Sequence, residues 1–155
     1  MTFNELIDGI ASRFSIEGLA ADGGTASLNI DDMPVTIAEG GEAFVVTGLV
    51  CEQPSEYGET FANMLLDTNI GLMDTRSAAI ARNPESKAYV LVERIPMSLE
   101  MDGFCDTLRQ FVDTLEDCVK AAANFIPAIE AADMSLKDGE MPTGFGTLLG
   151  GFMQV

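Results

Sequence analysis

Twenty-five aspartates and glutamates stand in this 155-residue chain beside not one histidine. That absence removes the commonest general base, the commonest neutral metal ligand and any Ser–His or Cys–His nucleophile pair. Carboxylates can act as acid and base on their own. The adjacent pair Asp31-Asp32, however, falls where a tight turn is expected, and turn-forming aspartates account for it. No segment carries the alternating Asp/Asn ligands and later Glu of a calcium loop. Gly144-Phe145-Gly146 follows no strand pattern, so it is no phosphate-binding signature. Cys51, Cys105 and Cys118 are odd in number and form no CxxC, which argues against a disulfide framework or a zinc site and for a reducing compartment. They read as small buried hydrophobes, since a reactive thiol wants a basic neighbour to stabilise its thiolate. The chemistry on offer is therefore that of surfaces: no catalytic residue, metal or cofactor is expected.

The surface is acidic. Eight basic residues leave a net charge of −17, and between Arg13 and Arg76 there are eleven acidic side chains and no basic one. Nucleic acid and anionic membrane surfaces would be repelled, and the charge keeps an otherwise sticky chain soluble. Sticky it is, with 47% hydrophobic residues and a mean hydropathy of +0.20, enough for a core and for some apolar surface left to a partner. Nine methionines are mostly core filler, but Met33, Met64 and Met73 are candidates for an adaptable binding surface. No stretch reads as a signal peptide or a membrane span, so the expected location is the cytoplasm.

Positioning these surfaces requires an ordered set of elements. Phe3, Leu6, Ile7, Ile10 and Phe14 form one helical stripe, with Thr2 and Glu5 as a capping box. Three alternating strands follow over 25–30, from Met33, and over 42–51, turned at Asp31-Asp32 and Glu39-Gly40-Gly41-Glu42. The third, EAFVVTGLVC, is apolar on both faces, which makes it central or leaves one face waiting for a partner. A second helix is expected over 55–69 with Ser55 as N-cap, then strands over 76–82 and 87–95 joined by the turn Asn83-Pro84-Glu85-Ser86. The longest helical pattern runs from Asp102 to about Ala132, with Pro127 expected to kink or end it. The order is α-β-β-β-α-β-β-α: an α+β domain over 1–132 with a twisted, mostly antiparallel five-stranded sheet flanked by helices. Residues 133–155, rich in Gly and Met, read as a flexible tail able to dock on an apolar groove.

This order, length and acidity resemble the class I chaperones of bacterial type III secretion, the Tir chaperone (CesT-like) family. The helix TFNELIDGIASRF, the meander TASLNI–MPVTIAE–EAFVVTGLV, the helix around YGETFANMLLDTN, the hairpin RSAAIARNPESKAYVLVERI and the closing helix carry the resemblance, over about residues 2–130. The stretch LLDTNIGLMDTRSAAIARNPESKAYVLVERIP is its most family-like part. The resemblance implies a cytoplasmic bacterial homodimer that holds the N-terminal segment of a secreted effector, extended and secretion-competent, by strand addition and apolar pockets, without ATP or catalysis. It places the dimer interface at Phe61, Leu65 and Leu66 with Val90 and Val92. Effector patches are expected at Ile7, Ile10, Phe14, Leu28, Val35, Val45 and Leu49. Each of these is equally explained by burial under its own helix. The tail has no counterpart in the family, and it could cover the patch when no partner is bound. A second reading is a YbjN-like regulatory or protein-interaction module of related fold without a secretion role.

Overall fold

The computed structural model describes residues 1–75 and 77–137. Its elements are α1 (Phe3–Phe14), β1 (Thr25–Ile30), β2 (Met33–Glu39), β3 (Ala43–Cys51), α2 (Gly58–Thr75), β4 (Ala79–Arg82), β5 (Tyr89–Pro96) and α3 (Met101–Lys137). The sheet runs β1-β2-β3-β5-β4, every neighbouring pair antiparallel. The turn chemistry explains the meander. Asp31 and Asp32 both take positive φ, +49° and +64°, the backbone of a two-residue turn whose twist matches its strands. Gly41 supplies φ +78° in the next one. Asn83 closes the β4–β5 connection, its side-chain oxygen accepting from the N–H groups of Glu85 and Ser86 at 2.9 and 3.3 Å.

Helix α1 begins with the expected capping box: Glu5 N–H donates to Thr2 Oγ1 at 3.3 Å, and Thr2 N–H donates to Glu5 Oε2 at 2.7 Å. Its stripe of Phe3, Leu6, Ile7 and Ile10 is buried. All three helices pack on the same side of the sheet. Phe44 of β3 meets Phe3 of α1 at 6.1 Å and Phe104 of α3 at 5.7 Å between ring centroids. Further along, Phe61 of α2 lies between Tyr89 of β5 (5.8 Å) and Phe125 of α3 (6.0 Å). Between these aromatic groups α3 lies close over β3: a Cβ at Gly48 would lie 2.3 Å from the buried Leu115 side chain, which would have to shift to admit it. These contacts fix the direction of α3, which runs alongside β3 from Phe104 to Leu115 and then meets α2 at Phe125.

Several boundaries differ from expectation: β4 begins at Ala79 and β5 at Tyr89, later than the expected 76 and 87, and α2 and α3 differ as well. Ser55 does not cap α2; Tyr57 takes φ +59° and reverses the chain, so the helix starts at Gly58. It also runs past Asn69 to Thr75, and the Asn69 side chain within it holds β4. Pro127 lies within α3 and does not end it. Proline forfeits one backbone hydrogen bond there, while Phe125 and Ile129, 1% and 5% exposed, anchor the turns on either side. The helix therefore crosses the expected limit at 132 and reaches Lys137; the rest of the expected tail, 138–155, lies outside the described residues.

Candidate functional site

Strand alternation gives the sheet two unlike faces. Ala26, Leu28, Ile30, Val35, Ile37, Phe44, Val46, Val50, Leu91 and Ile95 point to the helices and are buried. Among the described residues the opposite face carries no helix. Two rows cross it along the register, Ser27–Thr36–Thr47–Val92–Ala79 and Asn29–Pro34–Leu49–Val90–Ala81. Not one of these ten side chains is charged, in a chain of net charge −17. At the β1–β2–β3 end the rows form a concavity of about 330 Å³, lined by Ser27, Asn29, Pro34, Thr36, Thr47 and Leu49 and by the backbone of Leu28 and Val35. Leu49 is 47% exposed, a large apolar side chain in the middle of an uncovered sheet.

The groove lies beside an open strand edge. Thr25 exchanges both backbone hydrogen bonds with Asp22, N–H to carbonyl at 3.1 Å and carbonyl to N–H at 2.8 Å, so its polar groups point away from β2. By the alternation of an antiparallel ladder, the N–H and C=O of Ser27 and Asn29 point the same way. Among the described residues strand β1 is the end of the sheet, and no strand pairs with them on that side. The other edge is closed. Ile80 of β4 donates its N–H to Asn69 Oδ1 at 2.7 Å, and its carbonyl accepts from Asn69 Nδ2 at 3.0 Å.

The residues expected at the effector surface divide between these environments. Val45, half-buried, and Leu49 lie on the uncovered face. Leu28 and Val35 point into the core at 6% and 2% exposure, and Ile7 and Ile10 form the underside of α1 at 2% and 0%. A docked chain meets the last two only if α1 lifts away. Phe14 is half-buried, with the Arg109 guanidinium 5.1 Å from its ring centre. The expected dimer residues divide likewise. Phe61 and Leu65 are core, 3% and 1% exposed, because they lie on the stripe of α2 that faces Tyr89 and Phe125. Leu66 is 58% exposed and is joined one turn on by Ile70 at 60%, while Val90 and Val92 are half-buried on the uncovered sheet face. Met64 is core, Met33 is half-buried at its margin, and the side chain of Met73 lies outside the described residues.

Apolar periodicity passes over Ser27, Asn29, Pro34, Thr36 and Thr47, because it sees only the inner face of each strand. The available signal is the polar half of the alternation: Ser, Thr and Asn without Lys, Glu or Asp. Ile70 was visible as the i+4 neighbour of Leu66.

Chemical groups elsewhere are quiet. Burial, followed by the neighbouring carboxylates Glu52 and Asp117, pushes the thiols of Cys51 and Cys118 up to about 11 and about 12. The Cys105 thiol is also raised, chiefly by burial. All three are therefore protonated and unreactive near neutral pH. Among the described residues no cluster of three Cys, Asp or Glu side chains is placed to hold a metal ion, and no helix is long and apolar enough to cross a membrane.

A family model described as the Tir chaperone protein (CesT) family matches residues 5–118, well over half of the chain. No curated protein matches the sequence. Among solved structures, the chain is similar to one in the ExsC–ExsE complex, with 21% identity and a TM-score of 0.63 over 76% of this chain and 90% of that one. It is also similar to a chain of the HopA1–SchA chaperone–effector complex, with 15% identity and a TM-score of 0.60 over 76% and 93%. A third likeness is to the heterodimeric ExoU–SpcU complex from the type III secretion system of Pseudomonas aeruginosa, with 11% identity and a TM-score of 0.57 over 74% and 94%. At these identities the likeness is one of fold.

Proposed function

The chain belongs to the Tir chaperone (CesT) family, and from that premise we propose that it binds an extended segment of a type III secretion effector and keeps it competent for export. The observation that carries this reading is the pairing of an open β1 edge with an uncharged groove on the uncovered sheet face. An extended peptide can add to Ser27 and Asn29 through its backbone and set alternate side chains against Leu49 and Pro34. Backbone bonds hold many sequences in a non-globular state, and the apolar pocket adds affinity without any bond being made or broken. Neither ATP nor a catalytic group has a part in it.

The proposed assembly is a homodimer in the bacterial cytoplasm. Its interface is assigned to the solvent side of α2, Leu66 and Ile70, together with the Val90–Val92 side of the sheet; exposed leucine and isoleucine one turn apart are the kind of surface a second copy covers. Val45 and Leu49 are the effector-binding residues of this proposal. Phe14, Ile7, Ile10, Leu28 and Val35 back the surface from within.

The test is capture of the tagged protein from its own cells under secretion-inducing conditions, in native form and as Ser27→Pro and Leu49→Asp. The expected result is one dominant secreted protein, bound through its N-terminal region to two copies of the native chain and depleted with both variants. A clean dimer without a protein partner would move the reading to a regulatory module, and a retained small molecule would overturn it.

A further inference from the structure

Carboxylates far outnumber cations in this chain, 25 to eight, and Arg13, Arg109 and Lys120 pair with Asp102, Asp106 and Glu116. Arg94 behaves differently. Among the described residues no carboxylate pairs with it, and its Nη2 donates to the carbonyl of Gly40 at 3.1 Å instead. The register shows where it lies. Thr25–Ala38–Val45–Arg94 is a third row across the uncovered face, beside the two uncharged ones, and Arg94 is exposed. Among the described residues it is the one charged side chain that the strands send to this face. Its guanidinium reaches from β5 across β3 to the β2–β3 turn: a Cβ at Gly40 would lie 2.6 Å from Val45 Cγ2 and 3.9 Å from Arg94 Nη1. A guanidinium carries further N–H donors beyond the one that bonds Gly40, so an exposed cation stands ready at the rim of an uncharged surface.

The open edge of β1 leads toward it. Asp22 already holds the outer N–H and carbonyl of Thr25, so a chain added along Asn29 and Ser27 can pair no further. It must leave the edge there. The helices lie on the covered side, and the way left is over the uncovered face. From the position beside Ser27 to Gly40 is about 16 Å, two strand spacings across and four residues along, which about five extended residues span. We infer that Arg94 determines which segments bind: it takes an Asp or Glu about five residues beyond the one paired with Ser27, and so sets the direction and register of the bound chain. The occupant is an extended segment with an apolar residue for Leu49 and one carboxylate further along, on the Thr25 side. Charge complementarity argues for that partner. At net charge −17 the protein repels acidic chains as a whole, so a carboxylate gains only where a cation has been left for it. The inference rests on the proposed function for the chain that occupies the β1 edge.

The test needs no identified effector. Displayed random peptides of about sixteen residues, long enough to cover edge and face, are selected in parallel on the full native chain, Arg94→Glu, Arg94→Lys and Leu49→Asp. The native chain is expected to select an apolar residue with an Asp or Glu about seven positions away, since Asn29 adds two residues to the five. The acid should be enriched about fivefold over its library frequency, the weight of one exposed ion pair. Arg94→Lys should keep that preference and Arg94→Glu should replace it with Lys or Arg at the same offset, a change of sign that loss of the Gly40 contact alone would not produce. No acid selected by the native chain, or the same acid selected by Arg94→Glu, would overturn the inference; if Leu49→Asp still abolishes the apolar preference, the proposed function stands without it. Identical peptides on the native chain and Leu49→Asp, or none on the native chain, would overturn both.

Discussion

The two edges of this sheet are finished in opposite ways. Strand β4 is four residues long and its outward-facing Ile80 is saturated by one side chain, the amide of Asn69, which donates to the carbonyl and accepts from the N–H. Strand β1 is six residues long and, among the described residues, leaves Ser27 and Asn29 without a strand on their outer side, next to a groove with no charge in it. An exposed edge is a template for any extended chain, and proteins usually blunt it. Here one edge is blunted and the other is not. The lesson is that the open edge is a feature kept at one place: the same fold shows how it closes an edge where none is wanted.

Breaking the closed edge gives the largest expected effect. Asn69→Ala leaves Ile80 with two backbone groups that only water can satisfy, at a cost of about 2 kcal/mol. In thermal unfolding at fixed protein concentration, that corresponds to a fall of roughly 4–8 °C for a chain of this size. The variant is also expected to self-associate through β4, read as a concentration-dependent rise in light scattering. An unchanged melting temperature would show that Asn69 is incidental and that the two edges are equivalent.

Much of this arrangement was legible in the sequence, and the parts that were not share a physical cause. The paired aspartates, paired glycines and Thr2–Glu5 cap announced their elements because each acts within a few residues of chain. The bounds of β1 could be read to the residue from Ala26, Leu28 and Ile30. By contrast Asn69 and Ile80 are eleven residues apart, and nothing local says that an asparagine in mid-helix will serve a strand edge. That Pro127 does not end α3 has the same cause: Phe125 on the turn before it packs on Phe61 of α2, distant in sequence. Of the expected surface, apolar spacing could find Leu49 and Leu66 but could not separate them from Leu28 or Leu65. Which side of a strand or helix is covered depends on where the other elements settle. Only the absence of charge from the two rows around Leu49 distinguished that part of the second face in the sequence.

Sharpening the comparison from the open side is expected to give an intermediate effect. Ser27→Pro removes an outward N–H and obstructs strand addition, while an edge strand tolerates proline because no internal ladder bond is lost. Partner binding is expected to fall about tenfold, the weight of one well-made hydrogen bond of ~1.4 kcal/mol, with little change in thermal stability. Calorimetric titration with the captured effector segment, paired with a melt of the same sample, separates the two outcomes. A melt that drops as far as that of Asn69→Ala would mean that the Ser27 N–H is already engaged and that β1 is closed as well.

The smallest expected effect contrasts the uncharged groove of the open face with the covered face, where Glu93 stands opposite Val46 at 7% exposure. Burial raises its carboxyl above the ordinary 4.5. A group raised on folding binds its proton more tightly in the native state, so its contribution is fully present below pH 4.5 and is lost as the pH rises through its folded value. At neutral pH the buried charge is therefore a cost, which Glu93→Gln removes. The variant should melt slightly higher than the native protein at pH 7.5, with the difference shrinking as the pH is lowered toward 5. The same substitution should leave effector binding unchanged, since Glu93 lies on the far side of the sheet from Leu49. A binding defect would mean that the covered face transmits its charge to the open one, and that the two are not separate surfaces.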